Sequence, residues 1–162
     1  MIKKRPIRLN VNGEQYEAMV EHRKLLSDFL REELNISGVH VGCEHGSCGA
    51  CTIMFNGELV RSCLTLAVQA DGADIMTVEG LAKGPKLHTI QEAFYENYGT
   101  QCGFCTSGQI LTAYSLLNRN PNPTEENIRD AMSGHLCRCT GYHSIVESVK
   151  AAAEKMRNDP LT

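Results

Sequence analysis

The chain opens on strict alternation. From Ile7 to Val11 apolar and polar residues take turns, the period-two pattern of a half-buried strand. Asn12-Gly13 then supplies a two-residue hairpin turn, and QYEAMV returns with Tyr16, Ala18 and Val20 alternating. From Leu25 the interval lengthens. Leu25, Leu26, Phe29, Leu30 and Leu34 recur at helical spacing with Asp28, Arg31 and Glu32 among them, which predicts one amphipathic helix laid on a sheet. A glycine- and cysteine-rich stretch interrupts the pattern. Beyond it CTIMF and ELVRSCL flank Asn56-Gly57, predicting a second hairpin whose return strand carries Cys63 back beside that stretch. After a turn at Asp71-Gly72, Ile75 to Val78 supplies a last strand.

Glu79 to Leu87, EGLAKGPKL, holds two glycines, a proline and two lysines, and reads as a connector across the surface. Helical spacing then takes over. Ile90, Phe94 and Tyr98 share a face in a helix that Gly99 can end; Ile110, Leu111, Tyr114 and Leu117 line a second, stopped before Asn120-Pro121. Thr124 caps a third, with Glu125 and Glu126 in the first turn where carboxylates suit the helix dipole, and Gly134 stops it. The fourth runs from His143 to Arg157 with Ile145, Val146, Val149 and Ala152 or Ala153 inward. The pattern is thus α+β: a strand-rich half followed by a four-helix half, without internal repeats.

Composition narrows the function classes. A length of 162 residues allows one domain or two small ones, each with a modest core that a metal or a partner would reinforce. A net charge of −3, with no basic cluster beyond Lys3, Lys4 and Arg5, argues against nucleic-acid binding. No apolar run follows those charges as a secretory signal requires, and no segment reaches the length of a membrane span, so a cytoplasmic location without membrane insertion is expected.

Eight cysteines without an export signal point to metal ligation or catalysis, because reducing conditions disfavour a disulfide framework. They form two sets of four. Cys43, Cys48 and Cys51 have the C-x4-C-x2-C spacing of plant-type 2Fe-2S ferredoxins, and Cys63 can be the distant fourth ligand. Gly42, Gly46 and Gly49 let that loop wrap an anionic cluster with backbone N–H groups, while Ser47 and Ala50 add little bulk. The competing reading, structural zinc, prefers C-x2-C knuckles or histidines. His45 within the loop is expected at the surface. The second set, Cys102, Cys105, Cys137 and Cys139, has a less familiar spacing that leaves zinc open. Its cysteines nevertheless precede two helices whose N-termini would face one anionic centre. A Cys102–Cys105 thiol redox pair lacks a βαβ context. His88, His135 and His143, near helix ends, read as caps or surface residues. No phosphate loop or dinucleotide fingerprint is present, so no substrate-converting residue is assigned.

The strings GCEHGSCGACT, RSCL, TQCGFCTSGQI and GHLCRCTGY, in this order, resemble the iron–sulfur small subunit of the molybdenum hydroxylases. That family includes xanthine dehydrogenases, aldehyde oxidoreductases, aerobic carbon monoxide dehydrogenases and 4-hydroxybenzoyl-CoA reductases. The resemblance spans Ile7 to Ala153. It implies a β-grasp ferredoxin domain over residues 1–78, the connector 79–87, and a helical 2Fe-2S domain over 88–162. It further implies an electron-transfer role, with catalysis on another chain. The expected partners are a large chain holding a molybdopterin-type molybdenum cofactor and a medium chain holding FAD, assembled as a dimer of heterotrimers. The Cys102 set would lie nearer molybdenum and the Cys43 set nearer flavin, with Gln101 hydrogen-bonded to the pterin and Cys139 against it. Ser107 stands where the family commonly has proline, and serine is expected to cap the helix instead. A free-standing two-cluster ferredoxin is the alternative from another class.

Overall fold

The computed structural model describes residues 3–158; the outermost residues of the two expected domains, 1–2 and 159–162, lie outside that range. Strands β1 (Lys4–Val11) and β2 (Glu14–Glu21) pair antiparallel from Lys4↔Glu21 to Val11↔Glu14. Asn12 and Gly13 turn between them with φ of 54° and 86°. Strands β3 (Thr52–Phe55) and β4 (Glu58–Arg61) repeat this around Asn56 and Gly57 at 50° and 86°. Positive φ at both central residues gives a turn whose twist matches that of the strands, which is why both hairpins use Asn-Gly. Strand β5 (Asp74–Met76) slots between the hairpins, parallel to β1 and antiparallel to β3, for the order β2-β1-β5-β3-β4. This mixed sheet with a late central strand is the expected β-grasp arrangement.

The predicted crossing helix is present but not uniformly α. One α turn, α1 (Leu26–Asp28), widens into a π-helical segment at Phe29–Glu33, where the Leu34 N–H reaches the Phe29 carbonyl at 3.2 Å. Asn35, at φ 56°, ends it. Leu26, Phe29 and Leu30 remain fully buried, each contributing about 1.5–3 kcal/mol by leaving water. Arg31 fastens the following loop through its guanidinium to the Ser37 and Val39 carbonyls at 3.1 and 2.6 Å. The second return strand also stops early: β4 ends at Arg61, and Cys63 sits in a 3-10 turn, Ser62–Leu64.

The helical half contains α2 (Thr89–Glu96), α3 (Thr106–Arg119), α4 (Glu125–Met132) and α5 (His143–Asn158). Thr124 caps α4 as expected, its hydroxyl accepting the Asn127 N–H at 3.2 Å. Tyr98 departs from expectation. It lies beyond the end of α2 at φ 56°, 79% exposed, while the Gly99 N–H closes the helix on the Phe94 carbonyl at 2.9 Å. The connector is also less detached than its composition suggests: Val78–Leu81 is a 3-10 turn with Leu81 buried, and Glu79 accepts the Gly38 N–H at 2.6 Å. Residues 83–87 are exposed.

Among the described residues two hydrophobic cores form, and β3 serves both. Ile53 belongs to the core that includes Ile7, Val20, Phe29 and Ile75, whereas its neighbour Met54 belongs to the one built on Ile110, Leu111, Ile128 and Ile145 from the helices. Alternation along one strand therefore sends successive side chains into different cores. That places the cysteine loop preceding β3 against the helical half.

Candidate metal centres

The first four thiols gather from a loop and a turn. Cys43 and Cys48 are half-buried, while Cys51 and Cys63 are buried. The Cys48 N–H points at the Cys43 sulfur at 3.4 Å. That N–H, followed by the one of His45, holds the Cys43 thiol down at about 6. Burial, reinforced by the adjoining Cys51 thiol, pushes Cys63 up to about 11. The set thus consists of two couples, Cys43 with Cys48 and Cys51 with Cys63. Ser62 steadies the inner couple by donating to the Cys51 carbonyl at 2.8 Å. His45 is exposed and turns its Nδ1 to the Cys43 carbonyl at 2.5 Å, outside the thiol group as expected.

The second set has the same plan. Burial, with the Cys137 thiol beside it, pushes Cys105 up to about 12. The Phe104 N–H and then the Cys139 thiol lower Cys102. Contact with Cys102 in turn raises Cys139. Burial raises Cys137, but hydrogen bonds from Thr140, the Cys139 N–H and the Cys105 thiol together outweigh it and the thiol is lowered overall; the Thr140 hydroxyl lies 3.1 Å from its sulfur. The inner couple is Cys105 with Cys137, and the outer couple, Cys102 with Cys139, is exposed beside exposed Gln101. Tyr142 braces the loop, its hydroxyl accepting the Cys137 N–H at 2.9 Å.

A single tetrahedral ion needs its ligands converging on one point. Here the thiols of each set lie as two couples. A two-iron cluster instead takes two thiolates on each iron, which four thiols in two couples can provide. Backbone N–H groups aimed at Cys43 and Cys102 suit the negative charge of such a cluster. The donor set therefore fits 2Fe-2S better than zinc at both places.

The two cysteine loops touch. The Leu136 N–H, one residue before Cys137, donates to the Cys48 carbonyl at 2.9 Å. Phe104 stacks on His40 with ring centroids 5.0 Å apart and lies over Gly42. His135 corrects the sequence reading. It is 2% exposed, with Nε2 2.7 Å from the Thr112 hydroxyl, and is neither a cap nor a surface residue. Its ring lies so close to Gly49 that a Cβ there would come within 2.4 Å of Nδ1. His88 does cap α2, accepting the Ile90 N–H at 3.2 Å, and His143 is exposed at the start of α5. Ser107 does not cap α3: it lies inside the first turn, buried, and Cys105 occupies the cap position. Arg61, whose guanidinium donates to the Gly134 carbonyl at 2.7 Å, was not signalled by any local motif.

Two family models cover the chain: a 2Fe-2S iron–sulfur cluster binding domain over residues 9–77, and a 2Fe-2S binding domain over 77–150. The nicotinate dehydrogenase small FeS subunit of Eubacterium barkeri is 49% identical over 152 residues, 94% of this chain and 97% of that one. The chain belongs to the iron–sulfur small subunits of the molybdenum hydroxylases. A crystal structure of quinoline 2-oxidoreductase from Pseudomonas putida 86 matches this small-subunit fold with a TM-score of 0.93 and 46% identity, over 97% of this chain and 98% of that one. The aldehyde oxidoreductase of Desulfovibrio gigas matches over 95% of this chain but only 17% of its own, with a TM-score of 0.89 and 41% identity. In that protein the small-subunit fold is one part of a much longer polypeptide. As a member of this family the chain is an electron-transfer subunit of a multi-subunit oxidoreductase with larger partner chains.

Proposed function

We propose that Cys43, Cys48, Cys51 and Cys63 hold one 2Fe-2S cluster and Cys102, Cys105, Cys137 and Cys139 a second. Through them the small subunit relays single electrons between a molybdopterin-type molybdenum centre in a large chain and FAD in a medium chain. The observation that carries this reading is the gathering of all eight thiols into two four-thiol groups whose loops meet at Leu136 and Cys48. Each cluster, when bound, takes up and gives back one electron. The chain's own residues hold the thiolates, aim N–H groups at the added charge, and shield the inner couples, with Cys51, Cys63 and Cys105 buried and Cys137 half-buried. The exposed Cys102–Cys139 couple and Gln101 form the edge assigned to the pterin, and the Cys43 set is assigned to the flavin side. The 17% share of the Desulfovibrio gigas chain supports assembly with larger chains, and a dimer of heterotrimers is the assembly proposed. The domain limits proposed are 1–78 and 88–162 about the connector 79–87, supported by family matches that meet at residue 77. A cytoplasmic site of action is proposed; no helix among the described residues is long and apolar enough to cross a membrane.

The test is purification of the complex followed by EPR after reduction. Two distinct 2Fe-2S signals and copurifying molybdenum and flavin chains are expected. A colourless zinc protein, or a chain that purifies alone with two clusters, would replace this reading with a zinc module or a free ferredoxin.

A further inference from the structure

Three consecutive residues ahead of Cys137 are fastened to the sheet half, each by a different group. The Gly134 carbonyl accepts from the Arg61 guanidinium at 2.7 Å, and another Arg61 nitrogen donates to the Thr52 hydroxyl. That hydroxyl in turn donates to the Gly49 carbonyl at 2.5 Å, inside the first cysteine loop. The His135 ring fills the space over Gly49 and is held from behind by Thr112 of α3 at 2.7 Å. Gly108, also on α3, approaches so closely that a Cβ there would lie 2.5 Å from the Gly49 carbonyl. The Leu136 N–H then binds the Cys48 carbonyl at 2.9 Å. The covalent chain between these attachment points is long, 73 residues separating Arg61 from Gly134.

From this arrangement we infer that Arg61 and the His135–Thr112 pair are positioning residues that set the separation and orientation of the two clusters. The inference rests on the ligand assignment proposed above. Neither residue supplies a ligand. Arg61 joins the sheet-side loop, through Thr52 and Gly49, to the carbonyl three residues before Cys137. A chain of charge-assisted and buried hydrogen bonds is stiff and costly to leave half made. It thereby holds the Leu136 to Cys48 hydrogen bond, which joins the two cysteine loops directly. Loss of the clasp would let the loops separate without removing any thiol. Because magnetic interaction between two reduced clusters falls steeply with distance, it reports this separation directly, which stability and iron content do not.

The experiment uses the purified complex, reduced until both clusters are paramagnetic, and reads the low-temperature EPR splitting caused by their interaction. The variants are Arg61→Gln, Arg61→Lys and Thr112→Val. In Arg61→Gln and Thr112→Val, both individual signals and full iron content are expected with a reduced or lost splitting. Arg61→Lys keeps a cation able to reach one acceptor and recovers part of it. An unchanged splitting in both Arg61→Gln and Thr112→Val, with both signals intact, overturns the inference while leaving the ligand assignment standing. Loss of iron from both variants also overturns it, by making the clasp an assembly element. Absence of the two signals from the parent complex instead refutes the ligand assignment on which the inference is built.

Discussion

His135 is a buried imidazole whose proton affinity ties stability to pH. Burial first, and then the positive charge of Arg61, hold it at about 4, against an ordinary value of 6.5. Between these values the unfolded chain binds the extra proton and the folded chain does not, so stability is full above pH 6.5 and falls as the pH drops toward 4. By linkage the loss across this window is on the order of 3 kcal/mol. His135→Gln should flatten that part of the stability profile in chemical denaturation at pH 7 and pH 5, and an equally steep variant would contradict it. Cys43 offers a second readout, on cluster-free chain. Held at about 6 chiefly by the Cys48 N–H, it is mostly thiolate at neutral pH, whereas buried Cys105 at about 12 is not. Alkylation followed by mass spectrometry should label Cys43 first, with the rate rising from pH 5 to 7, and Cys105 last. Equal rates would refute the asymmetry. The eight cysteines were legible from spacing because a cluster imposes its ligand intervals on the chain. Arg61 and His135 were not, because their partners, Gly134 and Thr112, come from distant segments.

The elements divide along the same line between local and distant causes. Both Asn-Gly hairpins and the Thr124 cap follow from residues a few positions apart and could be read directly. Thr124→Ala removes one N–H acceptor at the start of α4 and should cost about 1 kcal/mol in chemical denaturation, with both cluster signals unchanged. A loss of cluster absorption in that variant would show that α4 supports the Cys137 loop more strongly than its cap alone requires. The π-helical segment after Asp28 was hidden because its periodicity over five residues resembles an α pattern, from which bonds such as Leu34 to Phe29, five residues back, distinguish it. Ser107 misled for a related reason. Its type suits a helix cap, but α3 begins one residue earlier and carries it into the interior.

At the scale of the whole molecule, two domains need not mean two folding units. β3 gives Ile53 to one core and Met54 to the other, and Leu59, Met76 and Val78 pack on the helical core from the sheet side. Separating the halves would expose this apolar surface and would break the Arg61 and Leu136 hydrogen bonds. The two halves should therefore lose their structure together. Met54→Ala removes volume from the helical core at a strand that also anchors the first cysteine loop, and such a truncation typically costs about 2–5 kcal/mol. In the purified complex, thermal scans following the two EPR signals separately should show both clusters lost in one coincident transition, shifted to lower temperature in Met54→Ala. If the variant lowered only the transition of the Cys102 set, the cores would be independent, and the clasp between the cysteine loops would be too weak to couple them.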